Sequence, residues 1–248
     1  MDTLTVAVIG AGGRMGRQVC AAVDAAADLR LGPQIDLGDD VAGVAGADVA
    51  VVFSVPDVAL EHTLACVRSG VHVVVGTTGW TPDMLEAVRT ALKDAPDVGV
   101  LVAPNFTIGA MLLIRFAALA AKHFESVEIV ELHHPDKVDA PSGTARHTAE
   151  LIGAARREAG LPPVPDATST GLDGARGAEV DGVRVHSVRL RGLVSHQEVL
   201  LGGTGETLTI RHDSLSVSSF APGVLLGIRN VAAHPGLTIG LDAYLGLG

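Results

Sequence analysis

The sequence predicts an α/β protein, with a Rossmann-like doubly wound parallel sheet followed by an α+β region built on a mixed sheet. Three observations lead there. Over the first hundred or so residues, short Val/Ile/Leu/Ala runs alternate with helical patterns, the signature of parallel strands joined by crossover helices. The first strand pattern opens into a glycine turn and then a helix, the context in which such a turn points to a dinucleotide. From Val183 onward strand patterns succeed one another without helices between them, as in an antiparallel or mixed sheet.

Composition agrees. A chain of 248 residues buries a sizeable core, and 48% hydrophobic with only 3% aromatic residues makes that core aliphatic, as suits a buried parallel sheet. A net charge of −10 argues against a nucleic-acid partner, which demands basic clusters. No apolar run reaches the length of a membrane span, and the start lacks a basic export leader, so the expectation is a cytoplasmic protein. Cys20 and Cys66 sit in helical patterns and read as reduced core residues.

In order, Thr3 to Ile9 is a β-branched strand, and Gly10 to Gly16 follows with glycines at 10, 13 and 16. Met15, Val19, Ala22, Val23 and Ala26 then recur at helical spacing. The glycines permit a tight turn and bring a pyrophosphate against a helix N-terminus. Leu29 to Ile35 is a second strand ending in Asp36, which lies 20 residues beyond Gly16, where a carboxylate accepts hydrogen bonds from an adenosine ribose. With only Arg14 nearby to offset that charge, the expected cofactor is NADH or NADPH, with NADH at least as good. Strands at Val49 to Phe53, Val71 to Val75 and Val98 to Val102 alternate with helices at Asp57 to Ser69 and Pro82 to Lys93. Gly76 to Gly79 and Ala103 to Phe106 fall at strand ends, where ligands bind in such sheets.

Ile108 to Phe124 is a long apolar helix, Val127 to Leu132 a strand, and Thr144 to Arg157 another helix. Between the last two lies Glu131 to Ala145, E-L-H-H-P-D-K-V-D-A-P-S-G-T-A. His133 and His134 exchange protons near neutral pH, Lys137 offers a cation or a proton, and Ser142, Gly143 and Thr144 open a helix whose free amides favour an anion. This is a pocket for a small carboxylate whose carbon skeleton is protonated. If the strand continues through His134, the two histidines point to opposite faces. Gly160 to Gly182 reads as a loop excursion and a contact between subunits. Val183 to Leu190, Glu198 to Leu201 and Glu206 to His212 are strands, Phe220 to Ala233 is a helix that returns to the first half, and Leu237 to Leu247 is a tail.

The runs Val6 to Gly16, Gly76 to Gly79, Ala103 to Phe106, Glu131 to Ala145 and Ser219 to Gly223 resemble the dihydrodipicolinate reductases of the diaminopimelate route to lysine, in their actinobacterial branch. The resemblance spans nearly the whole chain, and the central run is its most specific part. It implies NAD(P)H-dependent reduction of 4-hydroxy-tetrahydrodipicolinate, a cyclic dicarboxylate, to tetrahydrodipicolinate. It implies a catalytic pair, His133 as proton donor or acceptor and Lys137 as the acid that protonates the reduced ring, with His134, Gly143 and Thr144 binding substrate. Gly10, Ala11, Gly12, Gly13, Arg14, Met15, Asp36, Gly76, Thr77, Thr78, Ala103, Pro104, Asn105 and Phe106 would line the cofactor. It further implies a homotetramer, domains that close over the ligands, a dinucleotide-binding domain of residues 1–106 with 216–248, and a substrate-binding and tetramerisation domain of residues 107–215. The chain departs from the family pattern at Val52, where Asp is common, at Val217, where Arg often stands, and at Ser195, where Gly is usual. His196, Arg211 and His212 carry no catalytic role in this reading and are strand residues at an interface.

No metal is expected, because the histidines lie beside a lysine and lack a second ligand cluster. Two other readings share the nucleotide half: a different small Rossmann imine or amino-acid dehydrogenase, and a non-catalytic NAD-sensing protein. Neither needs His133, His134, Lys137 and Ser142 to Thr144 together.

Overall fold

The computed structural model describes residues 3–246. The chain divides into two compact units, Met1–Ile108 with Val217–Gly248, and Gly109–Ser216.

The first unit holds six parallel strands: β1 (Leu4–Ile9), β2 (Leu29–Ile35), β3 (Val49–Val52), β4 (His72–Val75), β5 (Gly99–Val102) and β11 (Gly236–Ile239). They lie in the order β11-β5-β4-β3-β1-β2. Helices α1 (Arg14–Asp24), α2 (Pro56–Arg68) and α3 (Pro82–Ala91) are the crossovers of this sheet, and α6 (Ala221–Asn230) packs with α1 and β4. The β3 and β5 side chains are buried throughout, which is why those segments read as unbroken apolar runs. The chain leaves β1 toward β2 on one side and reaches β3 on the other, so the topological switch point falls between β1 and β3.

The C-terminal segment from Leu237 is not a tail. Gly236–Ile239 pairs with Gly99–Val102 as the sixth parallel strand. Four residues are too short a run to give a clear signal, and the neighbour that makes them a strand lies 137 positions away. Leu247 lies outside the described residues.

The second unit holds a five-stranded mixed sheet in the order β10-β9-β6-β8-β7. The strands are β6 (Ser126–His133), β7 (Ala178–Val180), β8 (Val183–Arg189), β9 (Ser195–Gly203) and β10 (Glu206–Ser214). Only β6 and β8 pair in parallel. Along β6, residues 127, 129, 131 and 133 are buried and their neighbours are not. Val127 and Ile129 meet Leu113, Ile114 and Ala117 of α4 (Ile108–Ala120) and Ala145, Ala149 and Ile152 of α5 (Gly143–Glu158) in one core.

The segment read as a loop, Gly160 to Gly182, contains the short strand β7. The approach to it is tied down rather than free. The buried Arg156 guanidinium donates to the carbonyls of Phe124, Glu125 and Pro162 at 2.6, 3.0 and 3.1 Å, and Arg176 pairs with both Asp166 and Glu128. Cys66 is fully buried, but Cys20 is only half-buried on α1, so just one of the two is a core residue.

Candidate functional site

At the switch point the chain builds a cavity of about 290 Å³, lined among others by Gly10, Gly13, Asp36, Asp39, Phe53 and His62. Gly10 has φ +83°, and a Cβ there would lie 2.6 Å from the Phe53 carbonyl oxygen. A Cβ on Gly16 would lie 2.0 Å from the Gly10 oxygen, so only glycine lets α1 start this close to β1. Helix α1 begins at Gly13 with no side-chain cap, leaving its first amides open to an anion.

Asp36 stands across the turn and accepts from Gly12 N–H at 2.8 Å and from Leu37 N–H at 2.9 Å. Asp39 lines the same cavity, and among its described lining residues there is no lysine or arginine. Sequence reasoning missed His62, whose Nδ1 is buried without a hydrogen-bond partner among the described residues. Burial pushes its imidazole below the ordinary value of 6.5, against the charge of Glu61.

Arg14 and Met15 open α1 beside this cavity. Further along the sheet edge, the Thr77 hydroxyl donates to Ser54 O at 2.9 Å, and Trp80 Nε1 donates to Thr77 O at 3.0 Å, which holds the Gly76–Thr78 turn. Asn105 Oδ1 accepts from Thr107 N–H at 2.8 Å. Ala103 and Phe106 are buried, the Phe106 ring 6.0 Å from that of Phe53.

The second constellation lies at the end of β6. His133 is buried and is the last residue of the strand, while His134 lies just beyond it and is exposed. The buried carboxylate of Glu131, two residues back on the same face, accepts from His133 Nδ1 at 2.6 Å. The same carboxylate takes both terminal nitrogens of Arg189, at 2.9 and 2.8 Å, and Ser142 N–H at 3.2 Å. Burial alone would raise the Glu131 pKa, but hydrogen bonds from His133, Arg189 and Ser187 outweigh it and carry it from 4.5 down to about 2. His133 Nε2 faces Ser195 Oγ at 3.0 Å, in register across β6 and β9.

After a cis Ala140–Pro141 bond, Ser142 caps α5, its Oγ accepting from Ala145 N–H at 3.2 Å. Asp139 joins the two functional ends of this loop: one oxygen pairs with Lys137 Nζ and the other accepts from Gly143 N–H at 3.2 Å. The Lys137 ammonium beside it holds the Asp139 carboxyl below its ordinary value. Thr144 follows at the second position of the helix, half-buried.

Sequence reasoning assigned no role to Glu131, Asp139, Arg189 or Ser195. The first was readable, because residues two apart on a strand share a face. Arg189 and Ser195 come to His133 only through strand pairing. Among the described residues no group of three or more His, Cys, Asp or Glu side chains is placed to hold a metal ion, and no helix is long and apolar enough to cross a membrane.

A parallel sheet with a glycine-turn cavity at its switch point, joined in one chain to a mixed sheet carrying a buried Glu–His pair, places the chain in the class of Rossmann-like α/β proteins with a second α+β unit. Residues 4–106 match the family described as dihydrodipicolinate reductase, N-terminus, and residues 109–245 the family described as dihydrodipicolinate reductase, C-terminus. The 4-hydroxy-tetrahydrodipicolinate reductase of Streptomyces griseus is 59% identical over the full length of both chains. That of Nocardia farcinica is also 59% identical, over 99% of this chain and 100% of its own. A solved dipicolinate-bound dihydrodipicolinate reductase from Paenisporosarcina sp. TG-14 superposes with a TM-score of 0.86 at 35% identity, covering 97% of this chain and 99% of that one. The chain belongs to the dihydrodipicolinate reductase family and has its reductase role in lysine and diaminopimelate biosynthesis.

Proposed function

We propose that this chain reduces 4-hydroxy-tetrahydrodipicolinate to tetrahydrodipicolinate with NADH at least as effectively as with NADPH. The observation that carries this reading is the placement of Asp139. Its one carboxylate engages the Lys137 ammonium and the Gly143 amide together, so those two donors converge on a space the size of a carboxylate. A substrate carboxylate exchanging with Asp139 meets the same pair, with Thr144 beside it and His134 exposed at the edge.

The nucleotide would be held by the turn Gly10, Ala11, Gly12, Gly13, Arg14 and Met15, by Asp36 on the ribose, and by the strand-end turns Gly76, Thr77, Thr78 and Ala103, Pro104, Asn105, Phe106. The uncapped start of α1, brought close to β1 by glycines where a Cβ would strike the turn's own surroundings, fits a pyrophosphate. When bound, the nicotinamide supplies a hydride to the conjugated imine. Lys137 then protonates the electron-rich ring that results, and His133, held by Glu131, exchanges the further proton. Asp36 and Asp39, with no lysine or arginine among the cavity's described lining residues, disfavour a 2′-phosphate, which supports NADH.

The paired units act in this reading as a dinucleotide-binding domain and a substrate-binding and tetramerisation domain, in a cytoplasmic homotetramer. Support for assembly through the second unit comes from its long edge strand β10 and from Leu200 and Leu208, both 38% exposed on adjacent strands, since an uncovered edge invites pairing.

The test is purified protein with synthase-generated substrate, read as loss of reduced-nicotinamide absorbance. Turnover with NADH at a kcat/KM equal to or above that with NADPH is the expected result. Strict NADPH preference overturns the cofactor assignment. Oxidation of an amino acid with NAD, without reduction of the dicarboxylate, overturns the substrate.

A further inference from the structure

Both ring nitrogens of His133 are occupied by the protein. Glu131, an ionised carboxylate, only accepts, so Nδ1 carries a proton toward it at 2.6 Å. Nε2 is the ring's remaining acid–base atom, and it faces the Ser195 hydroxyl at 3.0 Å. His133 is 8% exposed, whereas Ser195 is half-buried and stands at the start of β9. The hydroxyl is therefore more accessible than the ring it touches, in a chain that runs Arg189, Glu131, His133, Ser195. A hydroxyl is both donor and acceptor, so it matches the neutral ring, which accepts at Nε2, and the imidazolium, which donates there.

We propose that in this chain, which carries a hydroxyl where the family usually has glycine, His133 exchanges its proton with the site through the hydroxyl of Ser195, with Glu131 and Arg189 fixing the far side of the ring. The inference rests on the reduction described above and adds a residue to it. That reaction moves three protons. The 4-hydroxyl leaves as water and takes one, the adjoining C–H gives one up, and the reduced ring takes one from Lys137, for a net uptake of one. The first two form an exchange suited to a single acid–base group. In the donating direction the Nε2–H bond breaks as an Oγ–H bond forms, and the serine's own proton passes to the departing hydroxyl. The serine ends neutral and the imidazole has lost one proton. In the accepting direction the same bonds form and break in reverse.

The closing experiment compares Ser195→Ala and Ser195→Thr with the parent chain. In ¹⁵N-histidine spectra without substrate, the Nε2 resonance of His133 shifts in S195A and returns toward its parent position in S195T, while the signals of His134 stay put. In turnover, S195A loses at least tenfold in kcat with KM within twofold. The kcat of the parent falls along a curve as deuterium replaces hydrogen in the solvent, the mark of more than one proton in flight. In S195A that dependence becomes a straight line, and S195T restores the curvature. An S195A protein with an unmoved Nε2 resonance, or with parental kcat and a curved solvent dependence, overturns the relay. A parent chain that consumes no reduced nicotinamide overturns the functional reading instead, and the spectra still decide the Ser195 contact. Should S195A fail to fold, Ser195→Cys, whose thiol is a much weaker hydrogen-bond partner, is read in the same way.

Discussion

The two constellations are built on opposite plans. The site at the ends of β1, β2 and β3 is made by subtraction: glycines at 10, 12 and 16 stand where a Cβ would strike protein atoms, so the turn closes tightly, and the first amides of α1 are left without a cap. The site at the end of β6 is made by addition. Glu131, His133, Arg189, Ser195, Lys137 and Asp139 each hold a partner. A pyrophosphate needs close approach and amide dipoles, whereas proton transfer needs side chains whose orientation is fixed before the ligand arrives. The first plan fails when an atom is put in, the second when one is taken out.

The largest break expected is in the second plan. Glu131→Ala leaves Arg189 and the Ser142 amide without their buried acceptor, which costs about 3–5 kcal/mol and is read from the urea midpoint. A loss under about 1 kcal/mol would show that the network does not support the fold. The same carboxylate sets a pH dependence. Its pKa falls from 4.5 to about 2 on folding, so the unfolded chain binds more protons in that interval. The stability it contributes is complete above pH 4.5 and is lost as pH falls toward about 2. In Glu131→Gln that part of the pH profile is expected to flatten.

Lys137→Ala comes next. Its kcat is expected to drop about 100-fold with the NADH dissociation constant within twofold, measured by fluorescence titration. If NADH binding collapsed instead, the two plans would not be separate. The converse is Gly13→Asp, which puts a carboxylate where the pyrophosphate would lie. NADH affinity should weaken by at least about tenfold, some 1.4 kcal/mol, and unchanged affinity would refute the placement. The smallest effect sharpens the cofactor choice. Asp36→Asn keeps an acceptor for Gly12 N–H but removes a charge, and is expected to raise the NADPH-to-NADH ratio of kcat/KM several-fold, about 1 kcal/mol or less. An unchanged ratio would move the origin of the preference to Asp39 or elsewhere.

Much of this was legible in the residues themselves. Periodicity and glycine spacing are local properties, so the alternation of β and α through Val102, the turn after Ile9, Asp36 at the end of β2 and the strand–loop–helix frame of Glu131 to Ala145 could all be read along the chain. Burial of Glu131 with His133 was readable too, from their spacing of two. What the chain alone left undecided depended on which segments lie side by side. Gly236–Ile239 is a strand because β5 offers it an open edge, and Ala178–Val180 because β8 does. Arg189 and Ser195 are 58 and 62 residues from the groups they hold, and only the pairing of β6 with β8 and β9 brings them there. Hydrophobic pattern is written residue by residue, but a hydrogen bond across a sheet depends on register, and register is a property of two segments at once.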